Sequence, residues 1–373
     1  MDFNFTEDQI ALKDMINKYL TDNYDFQKRR DIANGAQPFD KDFWAQAADM
    51  GWLALPFAED KGGLGGNPTD TVLFFTEMGR ALVLEPFLET MLITGRVLSQ
   101  SSQPYAQDMI EQIIAGTLQG AFAHGEANRA QGYDNIQTRI QADGDDFSVT
   151  GHKAVVYNAP NADFIIATAL DENNELVIFL ADKSSKALSL KNYDTIDGRQ
   201  ASEIYMEQLS VTHDQILARG NAAHHIVQST LDEAVLALSA EYLGGMEEML
   251  RLTLDYCKQR EQFGQPISNF QSLQHHMADM FMLCELSRSL IYSAAIKMHE
   301  NAEDARMLLA ATKVKVFKNA KEVAHKAVQL HGAIATTDEY SVGHYLKRIV
   351  STADMFGSPT SFTNLFIQER KSA

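Results

Sequence analysis

The sequence predicts an α+β fold with an N-terminal helical domain over residues 1–118, a middle antiparallel β domain over 119–218 and a C-terminal four-helix bundle over 219–373. Three observations carry that order. Apolar residues recur three and four apart up to about residue 118. Short β-branched and aromatic runs, broken by turn signals, then replace them. Helical spacing returns after Gly220 and persists to the end. At 373 residues the chain exceeds one compact core, so several domains are expected, and no internal repeat or low-complexity stretch stands out.

The first helix opens with Thr6 and Gln9 at capping-box spacing, and Phe5 and Ile10 sit where a hydrophobic staple would place them. Acidic residues stand where a signal peptide needs basic ones, so "MDFNFTEDQIALKDMINKYL" reads as a structural helix of a cytoplasmic protein. No apolar run approaches the roughly 20 residues that span a bilayer. The segments "FWAQAADMGWLALPF" and "TVLFFTEMGRALVLEPFLETMLITGRVL" continue the helical period, with Pro56, Pro68 and "KGGLGG" marking connections. That glycine cluster lacks the Gly-Lys-Ser/Thr ending of a phosphate loop and follows no strand, so it reads as a surface turn.

Near Ala121 the character changes. "AFAHGEA", "IQTRIQADGDDFSVTGHKAVVY", "ADFIIATALDENNELVIFLADK" and "ASEIYMEQLSV" are strand-like runs separated by Asp-Gly, Thr-Gly and Asp-Glu-Asn-Asn turns. Beyond them, residues 222–260, 268–299, 303–332 and 338–372 read as four long helices or helix pairs, the makings of a bundle.

The formal charge of −18 argues against nucleic acid or an anionic membrane surface as the main partner, since both require a basic face. Cys257 and Cys284, the two cysteines, lie in apolar helical patterns and read as reduced core thiols. His124, His224, His225, His275 and His276 show no metal-ligand spacing, so no metal is expected.

Most informative is "YCKQREQFGQPISNFQSLQHHMADM" (Tyr256 to Met280), a helix, a corner and a second helix. On spacing alone Gly264 and Pro266 punctuate a turn, Phe263 plugs the joint and Arg260 satisfies the last carbonyls of its helix. Set in the order helices, sheet, helices, the stretch resembles the signature of the C-terminal domain of acyl-CoA dehydrogenases. "VQLHGAIATTDEY" (Val328 to Tyr340) resembles the second signature of that family, and the resemblance runs over nearly the whole chain. More narrowly, "EMGRALVLEPFLET", "DEAVLALSAEYLGGMEEM" and "VGHYLKRI" are similar to the small-subunit branch of pimeloyl-CoA dehydrogenases and of unequal-subunit enzymes acting on steroid side chains.

The resemblance implies roles. In the family this corner projects into a neighbouring subunit's site and holds the diphosphate and adenine end of FAD; Arg260, Gln262 and Phe263 occupy those positions here. A guanidinium forms forked, charge-assisted hydrogen bonds to phosphate, and an aromatic ring packs on a flat ligand. Gln329 and Gly332 match the second flavin-contacting segment, where glycine admits close backbone approach. The implied reaction takes a proton from the α carbon of an acyl-CoA thioester while flavin takes hydride from the β carbon, giving the trans-2-enoyl-CoA. The expected acceptor is electron-transfer flavoprotein or a similar protein, and the expected acyl group is bulky, dicarboxylic or steroid-derived.

Proton removal requires a carboxylate held dry. Many family members place a glutamate in the loop after the second signature, but "ADMFGSPTSFTNL" contains none. Another family solution uses the long helix before the corner, where Glu233 and Glu241 stand at i and i+8 on nearly one face. Glu241 is the preferred base because "LALSAEYLGG" is otherwise apolar and small, where a charge needs a reason. A structural ion pair is the competing explanation. Gly244 and Gly245 cost the helix about 1 kcal/mol each and point to close approach of a ligand or helix. Glu241 and Arg260 lie about 28 Å apart along one helix and so serve different places.

Two departures weigh against an ordinary flavin-ring site. "HGEANRAQGYDN" replaces the family's Thr-Glu-Pro segment with its following Ala-Gly-Ser-Asp, and Val155 and Tyr157 replace the tryptophan and threonine that flank the ring. Either FAD is bound by altered contacts, or a larger homologous subunit supplies the ring pocket in an α2β2 heterotetramer rather than a homo-oligomer. An oxidase passing electrons to oxygen and a catalytically silent scaffold subunit remain the rival readings.

Overall fold

The structure is a computed structural model describing residues 5–35, 39–127 and 135–372. Helices α1 (Glu7–Asn23), α2 (Phe26–Ala33), α3 (Lys41–Asp49), α4 (Pro68–Arg80), α5 (Gly95–Ser99) and α6 (Ala106–Ile114) precede the sheet. Strands β1 (Gly120–Ala123), β2 (Arg139–Asp143), β3 (Asp146–Tyr157), β4 (Phe164–Leu170), β5 (Leu176–Ala181), β6 (Leu188–Asp194), β7 (Gln200–Val211) and β8 (Ile216–Arg219) follow. Then come α7 (Gly220–Gln259), a two-residue hairpin of β9 (Glu261–Gln262) and β10 (Gln265–Pro266), and helices α8 (Gln271–His299), α9 (Ala305–His331), α10 (Ser341–Ser351) and α11 (Pro359–Ser372).

The expected capping box is present: Thr6 Oγ1 accepts from Gln9 N at 3.2 Å, and Gln9 Oε1 accepts from Thr6 N at 3.1 Å. The staple takes another form. Ile10 is exposed, and the Phe5 ring lies 5.3 Å from that of Tyr292.

The chain folds into two compact units. One comprises Met1–Asp31, Asn67–Val83 and Val235–Ala373, with Leu73, Met78, Leu243, Met246, Ile291, Val316 and Val323 buried in it. Within it α4 and α7 run so close that a Cβ on Gly244 would stand 1.8 Å from Thr76 O, and one on Gly79 would stand 2.0 Å from Glu241 O. The helix partner, not a ligand, therefore accounts for Gly244. The last of the four helical stretches, 338–372, is a helix pair, α10 and α11. Between them Phe356 and Gly357 take positive φ, and Pro359 starts the new helix in the first turn, where a missing N–H does no harm.

The other unit comprises Ile32–Gly66 and Leu84–Ala234 and holds the sheet. Strand order is β6-β7-β3-β2-β4-β5-β8, with β1 also on β4. The sheet is mixed rather than purely antiparallel: β1 pairs β4 in parallel through Gly120↔Phe164 to Ala123↔Ala167, and β2 meets β4 in parallel at Arg139↔Leu170. Both β1 and β2 thus run along β4 in the same direction, a topology that turn signals do not encode. Val149, Ile165, Val177, Phe179, Ile204 and Leu209 form its core. Among the described residues no helix is long and apolar enough to cross a membrane.

Candidate functional site

The corner after α7 is a tight hairpin. β9 and β10 pair Gln262 with Gln265, and the two residues between them, Phe263 (φ 55°) and Gly264 (φ 82°), both take left-handed backbone. Two consecutive positive φ values are what a two-residue hairpin requires, and glycine takes one of them without strain. Phe263 does not plug the joint: it is 93% exposed, with its ring edge-on to Phe270 at 6.1 Å. Arg260 and Gln262 are exposed as well. The Arg260 side chain takes no helix carbonyl; its backbone N–H does, donating to Tyr256 O at 2.8 Å. A guanidinium left unpaired among the described residues, beside an exposed aromatic ring, suits a diphosphate with an attached flat base.

The second segment lies at the same end of the helical unit. Gln329 is exposed in the last turn of α9, and Gly332, its C-cap, has φ 67° with open space where a Cβ would stand. Between them His331 is buried, its ring 4.5 Å from Tyr256 and 5.0 Å from Tyr340, with Nδ1 2.8 Å from Ala327 O. Burial lowers the His331 pKa, favouring a neutral ring. Its tilted contact with Tyr256, one helical turn before Arg260, ties this segment to the helix that leads to the corner.

The ring-flanking positions in the sheet are different. Val155 takes φ 53°, unusual for a β-branched residue, at a register break between Lys153 and Val156. Tyr157 is buried, and the Arg199 guanidinium lies 4.3 Å over its ring. Arg199 in turn donates to Asp197 Oδ2 at 3.0 Å and stands 3.5 Å from Glu89 Oε1. The cavity left beside Glu89, Tyr157 and Arg199 is about 20 Å³, room for a water and not for a tricyclic ring. A flavin ring does not fit in this cavity as it stands.

The divergent segment from His124 to Asn135 lies partly outside the described residues, at 128–134. Its described glutamate, Glu126, accepts from Gln137 N (2.7 Å), Thr138 N (3.1 Å), Thr138 Oγ1 (2.7 Å) and Lys153 Nζ (2.7 Å). Burial opposes its charge, but Lys153 and these donors prevail and hold the carboxyl below its ordinary range. Burial also lowers the fully enclosed Lys153 to about 8, against the pull of Glu126. The lysine of "GHK" is thus a structural anchor.

Both candidate bases are held by arginines. Glu233 receives two parallel bonds from Arg96, Nε at 2.7 Å and Nη2 at 2.8 Å. Glu241 pairs with Arg348, which also donates to Val83 O at 3.1 Å. Either carboxylate would give up part of this pairing on taking a substrate proton. The loop lacking a glutamate is fixed from below: the fully buried Lys313 donates to Met355 O at 3.2 Å, beneath the 2.8 Å hydrogen bond of Tyr242 to Thr352. Sequence reasoning named neither arginine partner. The available signal was a lone arginine in the apolar turn "YLKRIV".

Residues 6–117 match the family model described as the acyl-CoA dehydrogenase N-terminal domain, and residues 224–360 that described as its C-terminal domain. The chain is 27% identical over 369 residues to "Probable acyl-CoA dehydrogenase YngJ" of Bacillus subtilis, covering 93% of each chain. Its fold matches the ChsE4-ChsE5 complex from Mycobacterium tuberculosis with a TM-score of 0.91 at 21% identity, covering 100% of both chains. It matches butyryl-CoA dehydrogenase from Megasphaera elsdenii with a TM-score of 0.89 at 23% identity, again covering 100% of both.

Proposed function

The chain belongs to the acyl-CoA dehydrogenase family, FAD-dependent oxidoreductases of acyl-CoA thioesters, and from that membership we propose that it is the small subunit of a heteromeric α2β2 dehydrogenase. In this reading Arg260, Gln262, Phe263, Gln329 and Gly332 hold the diphosphate and adenine end of FAD, and a larger homologous chain houses the flavin ring. When bound, the flavin supplies the hydride acceptor. The observation that carries the reading is the corner itself: an exposed Arg260 whose guanidinium is unpaired among the described residues, and a 93% exposed Phe263 beside it. The closed face at Tyr157 and Arg199 supports it from the other side. The acyl group is proposed to be bulky, dicarboxylic or steroid-derived, electron-transfer flavoprotein or a similar protein to take the electrons, and the cytoplasm to be the compartment.

Glu241 is the proposed proton acceptor of this chain, giving up part of its pairing with Arg348 as it takes the proton. A second reading, in which the subunit binds the cofactor tail while the partner chain supplies the base, is favoured by one observation: Glu233 and Glu241 are both ion-paired. Absorbance spectra test the heteromer. Purified alone, the chain is expected to be flavin-poor; with the homologous chain it is expected to be yellow and to bleach with acyl-CoA. A fully loaded, active homotetramer of this chain alone would overturn the proposal.

A further inference from the structure

The corner follows α7 and the second segment ends α9, and one side chain stands between the ends of those two helices. His331 comes two residues after Gln329 and directly before Gly332. It is 4% exposed in a segment where Gln329, Gly332, Ala333 and Ile334 all face solvent. Its ring is clamped. On one side lies the ring of Tyr256, from the last turn of α7, with centroids 4.5 Å apart; on the other lies that of Tyr340, the N-cap of α10, at 5.0 Å. Polar contacts make the same bridge. Nδ1 lies 2.8 Å from Ala327 O on α9, and the Leu252 carbonyl of α7 also favours the protonated ring, although burial outweighs both and lowers the pKa.

Position along the chain gives this contact its reach. Arg260 follows Tyr256 by one helical turn, and its backbone N–H donates to Tyr256 O at 2.8 Å. Ile267 N then donates to Arg260 O at 2.8 Å, which closes the neck of the hairpin on that same residue. A shift of Tyr256 against His331 would therefore move Arg260 against Gln329 and Gly332. A ligand gripped from two helices tolerates little of that, since binding groups must keep within about 0.5 Å of their working geometry.

We propose that His331 is a positioning residue for the cofactor tail: held between Tyr256 and Tyr340, its ring sets the spacing of Arg260 from Gln329 and Gly332. This rests on the assignment of those three residues to the tail, and it adds a determinant of FAD affinity that lies beneath the surface meeting FAD.

Two measurements test it. Amide hydrogen exchange on the chain alone follows the Arg260 and Ile267 amides, and FAD titration of the assembled enzyme follows affinity. His331→Ala is expected to speed exchange at both amides while the rest of the pattern holds. It is also expected to weaken FAD by about tenfold to hundredfold, the scale for losing a side chain that orients a ligand-binding group. His331→Phe keeps a ring in the clamp and is expected to restore both readouts. Because emptying a buried site can unfold a chain, Tyr256→Leu, at a half-buried position, removes the clamp from the α7 side and is expected to reproduce the effect of His331→Ala. Wild-type exchange and affinity in those two variants would overturn the proposal, as would His331→Phe failing as badly as His331→Ala. Loss of protection throughout the chain in both His331→Ala and Tyr256→Leu would make the ring an ordinary core residue and overturn it too. Arg260→Ala, run beside them, separates the two claims. FAD weakened by Arg260→Ala but untouched by the His331 variants leaves the tail assignment standing and removes His331; FAD untouched by Arg260→Ala removes the assignment, and the proposal with it.

Discussion

Arg348 donates to Glu241 in a pair closed to water, with 4% of the arginine side chain and 8% of the glutamate side chain exposed. Taking one member away leaves the other charge buried alone, at a cost of about 3–5 kcal/mol. Glu241→Gln is therefore expected to lower the urea midpoint at an unchanged slope, and a double variant Glu241→Leu, Arg348→Met to recover most of the loss. Single and double variants of equal stability would show that the pair carries no structural weight.

Arg260 is the opposite case. Its side chain is exposed and makes no hydrogen bond or ion pair among the described residues, so Arg260→Ala is expected to leave the melting temperature of the flavin-free chain unchanged. Removing charge-assisted contacts to a phosphate costs about 1.5–3 kcal/mol, roughly a tenfold to hundredfold weakening. Flavin titration of the assembled enzyme measures it. Full FAD occupancy in the folded variant would remove Arg260 from the cofactor site.

Gly244 predicts a sign reversal. In an open helix alanine is better than glycine by about 1 kcal/mol. Here the added methyl would stand 1.8 Å from Thr76 O, a backbone atom that cannot step aside. Overpacking typically costs about 1–3 kcal/mol and occasionally more, so Gly244→Ala is expected to destabilise the chain in chemical denaturation.

What was legible in the sequence and what was not follows from the range of the interactions. The capping box at Thr6 and the long helix into Arg260 are local, written within a few residues. The parallel pairing of β1 with β4 joins residues more than forty apart, and the Arg348–Glu241 pair joins residues 107 apart. No period or turn signal carries such information. Glu241 stood out because a charge in an apolar stretch needs a reason, but a structural arginine is as good a reason as a reaction, and only coordinates tell which group answers it. Phe263 shows the converse. An aromatic residue in a turn suggests packing, yet it stands exposed, because the hairpin's left-handed backbone points it away from the joint.

Lys313 predicts a pH dependence. Burial lowers its pKa from 10.5 to about 7, with Asp354 opposing the shift. Between those values the unfolded chain holds a proton that the folded chain lacks, so this group makes stability rise with pH from about 7 toward 10.5. Below 7 both states are protonated and the full penalty of the buried charge remains, on the order of a few kcal/mol. Lys313→Met removes the titration. Relative to wild type it is expected to be most favourable at pH 6 and to lose that advantage by pH 10 in urea unfolding. A constant difference across the range would mean that the buried amine does not titrate.

The mechanism turns on which carboxylate gives up its arginine. Glu233 is gripped at both oxygens by Arg96, and releasing it breaks two short bonds at once. Glu241 is held by one nitrogen of Arg348, whose other terminal nitrogen already has Val83 O to hold, so a shift of the guanidinium would leave that second contact in place. Stopped-flow bleaching of the assembled enzyme by a substrate established for it compares wild type, Glu241→Gln and Glu233→Gln. With Glu241 as the base, the first variant is expected to bleach 10²–10⁴ times more slowly, the usual scale for loss of a general base, and the second at the wild-type rate. Acyl-CoA affinity should persist in both, since glutamine keeps the shape and part of the hydrogen bonding. Collapse in Glu233→Gln alone would move the base two turns back along α7. Wild-type rates in both would give proton abstraction to the partner chain, leaving this subunit its corner at the cofactor tail and the buried pair as part of its frame.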